Sequence, residues 1–118
     1  MVFKLLSLNR LHHKTEFDQV FNQRNRLYGR YFMAYYLNSQ RSHPRIGIIA
    51  SKRNLSRAVD RNRVRRILKE QFRLAQQQLP HWDVVFVVKK GISNVQNQEL
   101  RQCCDELLNQ LSVLYKRA

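Results

Sequence analysis

The chain has 118 residues, the size of one ordinary domain, with 43% hydrophobic residues and a formal net charge of +14. That length can bury a core without disulfide help, and the apolar runs are those of a folded domain rather than a disordered one. The charge surplus repels itself in a compact fold and points to a polyanionic partner; arginine outnumbers lysine, 15 to 7, and its fork matches phosphate oxygens and stacks on bases, a bias toward nucleic acid.

The opening, MVFKLLSLNRLHHK, is briefly apolar, but basic residues interrupt it and no small-residue cleavage site follows, so no signal peptide is expected. No window of about 18 apolar residues exists anywhere, which excludes a membrane span by composition. Thr15 reads as an N-cap, with Glu16 and Asp18 in a first turn where the helix dipole favours acids. Phe17, Val20 and Phe21 then recur at helical spacing, so KTEFDQVFNQ predicts a short amphipathic helix. RLYGRYFMAYYLNS is rich in aromatics and predicts strand, with Gly29 marking a bulge or break. Alternation puts Tyr31, Met33, Tyr35 and Leu37 on one face, and Phe32, Ala34 and Tyr36 on the other. QRSHPR is a turn, and RIGIIAS a second strand with Ile46, Ile48 and Ala50 on one face.

A long helix is predicted over roughly 57–79, its apolar stripe made of Val64, Ile67, Leu68, Phe72, Ala75 and Leu79 and its end set by Pro80. DVVFVVKK is apolar throughout, as a strand buried on both faces would be. Ser93 and Gln96 fit a capping box. Leu100, Cys103, Cys104, Leu107, Leu108, Leu111 and Leu114 then outline a last amphipathic helix. Its adjacent cysteines are poorly placed for a bridge and lack metal-ligand spacing; they read as small buried hydrophobes in a reducing, cytoplasmic chain. The order is α-β-β-α-β-α, with one extra short strand around 26–30: a single domain over 1–118 with neither repeat nor linker, an α+β sheet covered by helices.

The charge is concentrated. Between residues 24 and 73 stand fourteen Lys or Arg against Asp60 and Glu70 alone, and no acid occurs from 19 to 59. The run DRNRVRRILKEQFR carries Arg61, Arg63, Arg65 and Arg66 in its opening turn, where the helix dipole opposes cations. At 100° per residue Asn62, Arg65, Arg66, Lys69 and Arg73 fall opposite the apolar stripe, and Arg61 and Arg63 fall toward its flanks. An incoming polyanion reverses the sign of that cost, so the pattern is that of a phosphate-contacting helix. Phe17, Phe21, Tyr31, Tyr35 and Tyr36 add rings that serve either as core or as stacking platforms for unpaired bases. Catalytic patterns are thin. His12, His13, His43 and His81 stand in loops or termini without a carboxylate partner, no paired acids suit metal-assisted hydrolysis, and no Gly-rich phosphate loop occurs.

The stretch ASKRNLSRAVDRNRVRRILKEQFR, residues 50–73, resembles the signature of the bacterial ribonuclease P protein subunit. LNRLHHKTEFDQVF, FMAYYL and DVVFVVKKG are similar to that family's opening, aromatic strand and last strand, in the same order, so the likeness spans nearly the whole chain. It implies an α-β-β-β-α-β-α fold around a four-stranded sheet, with a left-handed βαβ crossover that runs against the general rule of hand. It also implies a role: binding a large catalytic RNA and the 5′ leader of precursor tRNA, while the RNA, with Mg²⁺, performs the cut. Carried over by position, Arg61, Asn62, Arg63, Arg65, Arg66 and Lys69 would face the catalytic RNA. Phe17, Phe21 and Tyr35 would line the leader cleft, with Lys52 and Arg53 beside it; the loop 54–59, and Arg57 in it, align less surely. No protein-bound metal, protein partner or membrane is expected. The alternatives are a ribosomal or other structural RNA-binding protein without a leader cleft, and a stand-alone small nuclease.

Overall fold

The apolar run Asp83–Val88 forms a strand that pairs on both edges and is covered on both faces, and the rest of the chain is arranged around it. The computed structural model describes residues 9–117; the apolar opening at 1–8, where no signal peptide was expected, lies outside the described residues. In chain order the elements are α1 (Lys14–Asn22), β1 (Arg26–Tyr28), β2 (Phe32–Leu37), β3 (Arg45–Ile49), α2 (Ala58–Ala75), β4 (Asp83–Val88) and α3 (Asn97–Arg117). The sheet runs β1-β2-β4-β3. β4 is antiparallel to β2 and parallel to β3, so α2 is the crossover of a βαβ unit in a mixed α+β sheet.

The two faces of the sheet have different covers. One carries Phe32, Ala34, Ile46, Val84, Phe86 and Val88, sealed by the apolar stripes of α2 and α3 into the main core. Val64, Ile67, Leu68 and Phe72 are buried there as their spacing predicts, with Leu100, Cys103, Cys104, Leu107, Leu108 and Leu111 from α3. Both cysteines are free thiols, and burial pushes Cys104 well above the usual thiol range. Among the described residues the opposite face is covered by α1 and by Leu11 ahead of it, around Val20 and Val85.

Several boundaries differ from the sequence expectation. The aromatic run does break at Gly29, as expected, and the extra short strand is β1; the break is a hairpin turn in which the Gly29 N–H donates to the Phe32 carbonyl at 2.9 Å. Tyr31 sits before β2 and packs toward the main core, away from Tyr35. The first helix begins two residues earlier than a Thr15 cap would allow, with His13 as N-cap. Glu16 sets that start by accepting from the His12 and His13 N–H groups, both at 3.0 Å. α2 stops at Ala75, short of Pro80, because Gln76 and Gln78 turn back onto the Arg73 and Ala75 carbonyls. Ser93 is not a cap: a turn closes from Val95 N–H to the Ile92 carbonyl, and α3 starts only at Asn97. α2 starts at Ala58, which places Asp60 in its first turn and the Arg61–Arg66 cluster beyond it.

One ion network fixes where α1 lies. Arg45, at the start of β3, is opposite Asp83, at the start of β4. Its guanidinium forks onto that carboxylate (Nε–Oδ1 2.7 Å, Nη2–Oδ2 2.6 Å), and its remaining nitrogen donates to Glu16 Oε2 at 2.5 Å. Arg45 is only 7% exposed, so the helix is held to one end of the sheet by a desolvated charge. The Glu16 carboxyl falls from 4.5 to about 2, first through the hydrogen bond from the His12 N–H and also through those from His13 and Arg45. A depressed folded value means that the stabilisation is complete above pH about 4.5 and disappears as the pH falls toward about 2. Glu16→Gln should therefore melt below the parent at neutral pH, and the two melting temperatures should converge between pH 4.5 and 2. A gap that stays constant across that range would remove Glu16 from the network.

Candidate nucleic-acid interface

The basic face of α2 is an open groove. Asn62, Arg65, Arg66, Lys69 and Arg73 line a cavity of about 640 Å³, as their angular spacing predicts. Arg10 closes one side and Glu70 supplies the only carboxylate of its wall. Lys69 is pushed below the usual lysine range by burial, then by the Arg10 and Arg65 charges. The cluster is thus electrostatically unfavourable in the free chain, and a polyanion offsets that cost.

Arg61 and Arg63, expected to face RNA with their neighbours, are turned inward. Arg61 Nη1 donates to the Leu55 and Ser56 carbonyls at 2.8 and 2.9 Å. Arg63 Nη1 reaches the Val95 carbonyl and Asn97 Oδ1 at 2.8 and 2.7 Å, and Nη2 the Ile92 and Ser93 carbonyls at 3.3 and 3.2 Å. Each guanidinium supplies donors to a loop whose carbonyls have no strand to pair with. The physical reason is position: both lie on the flanks of the apolar stripe, where α2 meets neighbouring chain. Arg57 is likewise engaged, holding buried Asp60 at 2.8 Å, and that contact is the main cause of the lowered Asp60 value. The loop 54–59, ambiguous from sequence, is therefore ordered by Arg61, by the Arg57–Asp60 pair and by Asn54, whose Nδ2 donates to the Val88 carbonyl at 2.8 Å.

Beside this groove is the half-covered face of the sheet. Strand register arranges its side chains in rows across all four strands. Gly47, Val85, Tyr35 and Arg26 form one row, which α1 covers in part. Phe17 lies directly on Gly47, where a Cβ would come within 2.5 Å of its ring, and Phe21 meets Tyr35 edge-on at 4.8 Å. Ile49, Val87, Met33 and Tyr28 form the next row, in which Ile49 and Val87 pack partly against the cluster under α1, Met33 is half-buried and Tyr28 is exposed. Tyr28 is 63% exposed, with the Arg26 guanidinium 5.5 Å from its ring centre. Lys52 and Arg53 follow β3 in an exposed turn at the Ile49 end of that row. Tyr36 points the other way and stacks on Trp82 at 5.3 Å. The structure thus gathers Phe17, Phe21 and Tyr35, with Lys52 and Arg53 at the edge.

Sequence reasoning missed Arg10, Gly47 and the Arg45–Asp83 pair. A glycine inside a strand pattern marks a close approach, and that signal was available at Gly47. Nothing local marks the others. Arg10 and Phe17 line a second cavity of about 230 Å³, shared with Arg65 and Lys69, which joins the basic groove to the edge of β3.

Comparison with known proteins places these features in a family. The model of the family described as Ribonuclease P matches residues 5–112. A ribonuclease P protein component of Coxiella burnetii is 41% identical over 109 residues, 92% of this chain and 90% of that one. One from Psychrobacter is 36% identical over 110 residues, 92% and 85% of the two chains. One from Histophilus somni is 52% identical over 65 residues, 55% of each. Among solved structures, the Staphylococcus aureus RNase P protein superposes with a TM-score of 0.80 at 20% identity, over 86% of this chain and 94% of that one. The Thermotoga maritima RNase P protein gives 0.76 at 24%, over 86% and 96%. At those identities the structural likeness speaks for the fold.

The two kinds of arginine on α2 should separate experimentally. Arg63→Ala removes a charged donor from four oxygen acceptors and should cost about 2–3 kcal/mol of stability, with faster amide exchange over residues 92–97. Arg66→Ala, at an exposed position, should stay within about 0.5 kcal/mol. Equal losses in chemical denaturation would mean that Arg63 has no structural role beyond its neighbours'.

Proposed function

The chain belongs to the ribonuclease P protein family, and on that premise we propose that it binds a large catalytic RNA and the single-stranded 5′ leader of precursor tRNA, so that the RNA, holding Mg²⁺, cuts the leader away in the cytoplasm. The observation that carries this reading is the adjacency of two unlike surfaces, joined at the edge of β3 by the cavity that Arg10, Phe17, Arg65 and Lys69 line. A basic groove suits the phosphates of a folded RNA, and a half-open aromatic and apolar row suits unpaired bases. The described residues contain no helix long and apolar enough to cross a membrane.

Roles follow from placement. Asn62, Arg65, Arg66 and Lys69 contact the catalytic RNA from the groove. Arg61 and Arg63 flank the same RNA with part of their donors already engaged, Arg61 through Nη1 and Arg63 through both terminal nitrogens. Phe17, Phe21 and Tyr35 hold leader bases, Phe17 and Phe21 as the helical wall and Tyr35 as the floor, while Lys52 and Arg53 meet the leader phosphates. A stacked base tolerates any sequence, which suits a subunit that must accept many precursors.

At low Mg²⁺, the matching catalytic RNA should cleave precursor tRNA faster with the chain than without it, and the chain alone should leave the precursor intact. No acceleration would sink the reading. Within the assembled enzyme, Tyr35→Ala should weaken precursor binding about 5- to 150-fold and barely change mature tRNA binding. Tyr36→Ala, which loses the Trp82 stack, should instead lower stability. Equal losses for both RNAs at Tyr35 would mean that the leader does not cross this face.

A further inference from the structure

The junction between the two surfaces has a construction of its own. The segment ahead of α1 is drawn to the outer edge of β3: Leu11 N–H donates to the Ile46 carbonyl at 2.9 Å, Arg10 bridges Ile46 in parallel register, and buried Asn9 Nδ2 donates to the Pro44 carbonyl at 3.0 Å. This brings Arg10 from the far end of the sequence to the basic face of α2. Arg10, Arg65 and Lys69 are the three cations that both cavities share. No carboxylate lines the smaller cavity, and among the described residues none of the three cations forms an ion pair.

We propose that Arg10, Arg65 and Lys69 form a seat for a single backbone phosphate of the catalytic RNA, at the point where the groove passes into the leader-facing side. The proposal rests on the functional reading above and adds to it a contact residue outside the basic helix. Two guanidiniums and an ammonium converging from different elements suit the several oxygens of one phosphodiester better than separate phosphates strung along a helix. The depressed Lys69 is consistent with a site whose charges are brought together before the anion arrives. The catalytic RNA is the source favoured because the larger cavity continues along α2 to Asn62, Arg66 and Arg73.

A shared phosphate makes its contacts interdependent, whereas contacts to separate phosphates add. Affinity of the full chain for the catalytic RNA would be measured for Arg10→Ala, Lys69→Gln and Arg66→Ala, and for the double variants Arg10→Ala/Lys69→Gln and Arg10→Ala/Arg66→Ala. Circular dichroism and melting would check that each folds. Each single change should weaken binding about 10-fold. The Arg10/Lys69 double should lose far less than the product of its singles, and the Arg10/Arg66 double should lose close to the product. Multiplicative loss in the Arg10/Lys69 double would overturn the shared seat, as would Arg10→Ala binding like the parent. A loss at Arg10 seen only with precursor tRNA on the holoenzyme would overturn it too, moving the phosphate to the leader. Parent protein that binds the catalytic RNA no better than an unrelated RNA of equal length would overturn the functional reading itself, a result distinct from those three.

Discussion

The three-way contact of Arg45 with Asp83 and Glu16 decides the shape of the molecule's working side. Its fork ties the starts of β3 and β4 together, and its third nitrogen fastens α1 over that end of the sheet. A buried ion network of this kind adds little net stability over a well-packed apolar one. What it adds here is placement. Removing one partner leaves an uncompensated buried charge, at about 3–5 kcal/mol, so the helix has no cheap alternative seat. With α1 held at the Arg45 end, Phe17 lies on Gly47 and Phe21 against Tyr35, and among the described residues the row from Ile49 to Tyr28 is only partly covered. The half-open face is a consequence of where one carboxylate pulls.

The arginines of α2 divide into those that build and those that wait. Arg57, Arg61 and Arg63 spend their donors on Asp60 and on loop carbonyls, fixing the segments on either side of the helix start. Asp60, in the first turn, meets the positive end of the helix dipole. The apparent conflict of a cation-rich helix start is thereby removed for the isolated chain. The cations that line the open groove are Arg65, Arg66, Lys69 and Arg73, the last also near Glu70 at 4.0 Å, and all lie about two to four turns from the helix start, where the N-terminal field has faded.

What could be read ahead of the structure was whatever depends on near neighbours. The stripe Val64–Phe72, the doubly buried β4, the cysteines as packing residues and the opposition of Tyr35 to Tyr36 all follow from period and polarity. The helix boundaries were misplaced by one to four residues because their determinants are particular hydrogen bonds, such as Glu16 to the His12 and His13 N–H groups. Least legible were partners distant in sequence. Arg45 and Asp83 are 38 positions apart, and Arg63 and Asn97 are 34. A string of arginines gives no sign of which will turn inward, since that depends on a loop packing beside the helix. Arg10 lay in a stretch with no charge pattern, and only the edge of β3 gives it a role.

The central strand is also the last strand to be made. A ribosome releases β1, β2, β3 and the whole of α2 before Asp83–Val88, and β3 has no neighbouring strand until that segment emerges. Until then Ile46 and Ile48 lack the strand that pairs with them, Phe32 and Ala34 lack their β4 neighbours, and the apolar stripe of α2 has no finished sheet beneath it. Apart from the local β1–β2 hairpin, sheet formation must therefore come late, dominated by pairings of large sequence separation, a topology that folds slowly and is aggregation-prone while it waits. During that interval the chain on the ribosome is cationic, apolar and incomplete, and it emerges into surroundings dense with RNA. Mutual repulsion among its many positive charges keeps neighbouring nascent copies apart, so the charge that suits a nucleic-acid partner also protects the polypeptide before there is a fold to present.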